Sequence, residues 1–102
     1  MAKIVKRSIS FGASSAPDIA GYKLYWSVGS PVDYTSTNAD IGNKTTVIIP
    51  DDVPSFPLVE AQVNIGITAI DDIGNESDMV TATAPFDFDA PDAPTNLVVG
   101  TL

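Results

Sequence analysis

Residues 61–69 alternate without a break. Ala61, Val63, Ile65, Ile67 and Ala69 fall on one side of an extended chain, and Gln62, Asn64, Gly66 and Thr68 on the other. Successive strand side chains point to opposite faces, so this run reads as a strand with one buried face rather than a helix. Shorter runs of the same kind fill the rest of the chain, and no long segment repeats at the helical period. In residues 3–11, Val5, Ile9 and Phe11 share a face that Arg7 interrupts. In residues 20–28, Tyr22, Leu24, Trp26 and Val28 share one. Residues 32–36 read as a short edge strand, since Pro31 is tolerated at a strand start, and residues 38–43 as a loop. Thr45 to Ile49 is rich in β-branched residues and favours strand. Pro50, Pro54 and Pro57 rule out regular structure across 50–57. Met79 to Ala84 and Thr95 to Thr101 read as the last two strands, joined by a stiff, proline-punctuated linker over 85–94. Short strands separated by Gly, Pro, Asn and Asp predict an all-β sandwich of about seven strands.

A chain of 102 residues is the usual size of one domain. It contains no cysteine and no histidine. Disulfides and thiolate chemistry are therefore excluded, and so are the commonest general base and the commonest metal ligand. No apolar run approaches the length that crosses a bilayer as a helix. Residues 1–7 carry positive charge with no long apolar stretch after them, which is not a secretory signal. The net charge of −8 argues against nucleic acid as a partner. Its distribution is uneven. Residues 1–50 hold all five basic residues against Asp18, Asp33 and Asp40, whereas residues 51–102 hold ten acids and no base. The acidic half reads as a solubilising face, as a source of head-to-tail attraction between copies, or as a cation-binding face.

Two stretches carry a family likeness. Asp18-Ile19-Ala20-Gly21-Tyr22-Lys23-Leu24-Tyr25 and Ile65-Gly66-Ile67-Thr68-Ala69-Ile70-Asp71-Asp72-Ile73-Gly74-Asn75-Glu76-Ser77 stand in the right order. The first resembles the entry to strand C of fibronectin type III domains. The second resembles the end of strand F, the F–G turn and the start of strand G in bacterial members. The resemblance covers residues 9–84 loosely. It implies an immunoglobulin-like sandwich, with Tyr22, Leu24 and Trp26 opposite Val63, Ile65 and Ile67 across the core.

The chain departs from that family in three places. Phe11 stands where strand B usually has Trp. Val63 stands where strand F usually has a Tyr that ties down the preceding loop. The family's opening strand A is missing in front of residues 3–11, and its pattern stands at the other end, in Pro91-Asp92-Ala93-Pro94-Thr95-Asn96-Leu97-Val98-Val99. The expected division is a sandwich over 1–86 and a linker plus strand-A-like segment over 87–102. Three destinations are open for that segment: the next domain of a tandem array, its own open edge, or the edge of another copy. Its own edge lies roughly 30 Å from the end of strand G by strand rise, about what residues 85–94 span when extended.

No catalytic constellation stands out. Asp51–Asp52 and Asp71–Asp72 are carboxylate pairs, but adjacent strand residues point to opposite faces. Asp71, Asp72, Asn75, Glu76 and Asp78 supply oxygen donors of the kind calcium takes, against a plain reading as turn chemistry in which Gly74 accepts a positive φ. Asn43-Lys44-Thr45 and Asn75-Glu76-Ser77 match the N-glycosylation sequon. Tyr25 and Trp26 are neighbours, so with Trp26 buried Tyr25 is expected on the surface beside Lys23. The candidate interaction residues are Leu97, Val98, Val99 and Tyr25. The expected role is a non-enzymatic structural, spacer or protein-interaction module, with no cofactor and with a neighbouring domain or another copy as partner. The resemblance implies a bacterial surface, secreted or virion protein. A self-assembling subunit and an accessory carbohydrate-binding module resting on Tyr25 and Trp26 are the alternatives.

Overall fold

The computed structural model describes residues 2–102 and contains six strands: β1 Arg7–Ser10, β2 Ile19–Val28, β3 Thr37–Gly42, β4 Thr46–Ile49, β5 Glu60–Asp71 and β6 Val80–Asp87. All pairings are antiparallel. β3-β2-β5-β6 form one sheet and β1-β4 the other. The long alternation of residues 61–69 becomes β5, held between β2 and β6 at the centre of the larger sheet. The chain is thus an all-β sandwich.

The core is built from the predicted faces. Tyr22, Leu24 and Trp26 of β2 and Val63, Ile65 and Ile67 of β5 are buried with Val47 and Ile49 of β4. Each such side chain contributes about 1.5–3 kcal/mol on burial. One placement is corrected: β2 and β5 are neighbours in a single sheet, with Leu24 beside Ile67 and Trp26 beside Ile65, so their apolar faces lie side by side. Val47 and Ile49 meet them from the other sheet. The irregular segment 50–57 follows its prolines, yet it also buries Val53 and Phe56. The Phe56 ring lies 5.3 Å from both the Trp26 and the Phe86 rings. That aromatic plug fixes the loop where Val63 offers no hydroxyl. The Tyr22 hydroxyl accepts the Ser14 amide at 2.9 Å and ties down the loop before β2 instead.

Other expectations are revised. Residues 32–36 form a turn, because the Asp33 carboxylate takes the Thr35 amide at 2.8 Å and the Ser36 amide closes on the Asp33 carbonyl. Residues 38–43, expected as a loop, lie largely in β3, where Ala39 and Ile41 pack against the core from an otherwise polar edge strand. The first strand is shorter than residues 3–11, with Val5 exposed. β6 runs through Pro85 to Asp87, and Phe86 and Phe88 are core residues, so the body ends at Phe88 rather than at 86. A seventh strand over 95–101 is not formed.

Candidate functional site

The edge of β1 away from β4 carries the features that bear on function. The Phe11 amide donates to the Thr45 carbonyl at 3.0 Å, which marks the side of β1 that faces β4. Antiparallel ladders alternate, so the Ile9 amide shares that side while the Ser8 and Ser10 amides point to the open edge. Opposite Ser8, the outward polar groups of Ile48 are already paired. The Asp52 carboxylate takes the Ile48 amide at 2.7 Å, and the Asp52 amide donates to the Ile48 carbonyl at 2.8 Å. The far edge of β4 is therefore closed from within. The larger sheet is also blunted at both ends. β3 turns its Gly42 amide onto the Asp40 carboxylate, and β6 carries Pro85, which has no amide. β1 is short and carries Arg7, but among the described residues its outward Ser8 and Ser10 amides take no hydrogen-bond partner.

The interior beside β1 is uncovered as well. Val80, Ala82, Ala84 and Phe86 of β6 pair with Ile67, Ile65, Val63 and Ala61, so they share the core-facing side of the sheet. Yet Val80 is 71% exposed, Ala82 is exposed and Ala84 half-buried, with only Phe86 enclosed. A groove of about 270 Å³ opens there, lined by Phe11, Tyr22, Ile67, Ala69 and Val80 among others. At the opposite pole Arg7 bridges the two sheets. Its guanidinium lies 4.8 Å from the Phe86 ring centroid and donates to the Pro85 carbonyl at 3.0 Å. The arginine that interrupts the apolar face of β1 is thus a clasp at one end of an open seam.

The C-terminal segment stands away from this seam. Residues 88–102 form no strand, and Leu97, Val98 and Val99 are 96%, 81% and 93% exposed. The chain measures 70 × 25 × 18 Å, with a Cα radius of gyration of 18.2 Å. A compact domain of this length has about 13 Å. Pairing of 95–101 with its own β1 edge is not what the structure contains.

The remaining candidates lie elsewhere. Trp26 is buried as expected, and Tyr25 is buried too, contrary to expectation. Two buried neighbours are possible because the segment between β5 and β6 folds back over the outer face of the larger sheet. Glu76 accepts hydrogen bonds from the Tyr25 and Thr68 hydroxyls, and Tyr34 meets the Tyr25 ring edge-on at 6.1 Å while donating to the Ser77 carbonyl. Gly66 pairs beside Tyr25 without a side chain, and Met79 packs over it. Neither aromatic ring is presented for a sugar. Burial and then the Glu76 hydrogen bond push the Tyr25 hydroxyl up to about 12. Burial also works to raise Glu76, but the Thr68 and Tyr25 hydrogen bonds and the Lys23 charge outweigh it and hold that carboxyl below its usual range.

The calcium-type donors do not converge. Asp71 accepts the Asn75 amide at 2.8 Å, the Ile73 amide at 3.1 Å and the Asn75 side chain at 3.0 Å, which lowers its pKa, and Gly74 takes a φ of 96° in the same turn. Glu76 turns to Tyr25 on the sheet face, whereas Asp72 and Asp78 are exposed. No group of three metal-ligating side chains forms among the described residues. Asp51 pairs with Lys6 at 2.7 Å and Asp52 with the Ile48 amide, so that carboxylate pair diverges too. Comparison of the chain with protein-family models, with curated proteins and with solved structures found no match.

Proposed function

We propose that this chain is a non-catalytic structural module of the fibronectin type III kind that joins its neighbour by strand addition along β1. The setting that its resemblance favours is a larger bacterial surface, secreted or virion protein. The observation that carries this reading is the unprotected β1 edge beside the uncovered inner face of β6. Two-sheet sandwiches close that seam with one more strand, and an open edge left so is a template for pairing. The order β3-β2-β5-β6 facing β1-β4 also suits a sandwich of that family.

The test uses the full chain carrying Leu97→Asp and Val99→Asp, which disables its own segment at exposed positions, mixed with a synthetic peptide of residues 91–102. The expected result is slowed amide exchange at Ser8 and Ser10 together with a shift of the Val80 methyl resonances. Unchanged exchange and unchanged resonances at millimolar peptide would overturn the reading.

A further inference from the structure

We infer that the strand added along β1 is residues 95–101 of a second copy of this chain. The inference rests on the proposed strand-addition role and names its partner. The edge and the segment match in pattern. A strand lying beside β1 must turn apolar side chains at every second position onto Val80, Ile67 and Ile9, and polar ones to solvent. Thr95, Leu97, Val99 and Thr101 provide such an inward row, with Leu97 and Val99 at its centre. These side chains are among the most exposed large aliphatics of the molecule, and Val80 and Ala82 are exposed apolar residues on the core-facing side of β6. The two segments also match in charge. Residues 2–11 contain Lys3, Lys6 and Arg7 and no acid, while residues 85–102 contain Asp87, Asp89 and Asp92 and no base. Opposite charges on the two partners favour their encounter.

The connecting segment directs this strand outward. Ala90 and Ala93 each precede a proline, which holds them extended, so residues 90–94 are stiff, and the 70 Å length of the molecule carries 95–101 away from the body. The body lies behind residues 90–94 in its own chain, and a second body accepts the strand. Because each copy both offers a strand and presents an edge, the contact repeats from copy to copy or closes as a reciprocal pair.

The experiment is light scattering with amide exchange on the full chain from micromolar to millimolar concentration, beside the Leu97→Asp/Val99→Asp variant. The mass is expected to rise from 10.7 kDa to twice that or more, with Leu97 and Val99 amides slowing in step, and the variant is expected to stay at 10.7 kDa. A full chain that remains monomeric at millimolar concentration overturns the inference, whether its terminal amides exchange fast or are held slow within the same molecule. So does an assembly that the variant leaves intact. The peptide experiment reads only whether the edge accepts a strand. A monomeric chain whose variant still binds the peptide therefore removes the second copy and keeps the structural-module reading.

Discussion

Tyr25 shows how a side chain's role is set by what folds over it. On a strand next to buried Trp26 it belongs to the outer face, and sequence periodicity alone places it in water. The Glu76–Met79 segment converts that face into a small second core, with a carboxylate between two hydroxyls. Replacing Tyr25 with Phe removes one donor to Glu76 and is expected to cost about 0.5–1.5 kcal/mol, read by urea denaturation. The same change alters the alkaline limb. The hydroxyl is raised to about 12 in the fold from an ordinary 10.0, so its contribution is full below pH 10 and is lost as pH climbs from there toward 12. The Tyr25→Phe variant should lack that loss. The carboxyls behave oppositely. Glu76, Asp71, Asp52 and Asp33 are all lowered in the fold, so their contribution is present above the ordinary carboxylate range and disappears as pH falls through and below it. Glu76→Gln should flatten the acid limb in a thermal melt series.

Among the elements, legibility followed burial. β2, β4 and β5 could be read directly, because their alternation puts Leu24, Val47, Ile49 and Val63 fully inside. β3 looks like a loop in the sequence, because an edge strand needs only Ala39 and Ile41 on its covered face and its other residues are polar. Pro85, which an edge strand tolerates, makes the end of β6 look like linker in the sequence, although Phe86 and Phe88 close the core. The segment 50–57 was legible as irregular but not as a plug. Phe56→Ala opens space between Trp26 and Phe86 and is expected to destabilise by about 3–5 kcal/mol in chemical denaturation. Asp52→Ala acts at the sheet edge. It frees the Ile48 amide, giving the smaller sheet two open edges, and should lower the melting temperature and raise concentration-dependent aggregation.

At the scale of the whole molecule, the sandwich has an open seam beside β1, and residues 88–102 form no strand and leave Leu97, Val98 and Val99 exposed. The likeness of residues 91–99 to an opening strand was visible in the sequence. The asymmetry among the four sheet edges was not, since it depends on Asp52 reaching Ile48, on Asp40 holding Gly42, and on Arg7 clasping Phe86. A dilute solution should scatter X-rays as an elongated particle, with a radius of gyration nearer 18.2 Å than the about 13 Å of a compact domain of this length.

The most direct measurement is residue-resolved amide exchange along β1 across a dilution series of the full chain. In dilute solution Ile9 and Phe11, which face β4, should exchange slowly, while Ser8 and Ser10 exchange fast. As concentration rises, Ser8 and Ser10 should slow to match them. Slow exchange of Ser8 and Ser10 at every dilution would mean that the edge is covered within a single chain, and fast exchange at every concentration would mean that nothing joins it. Either outcome contradicts a sandwich completed by a strand from its neighbour.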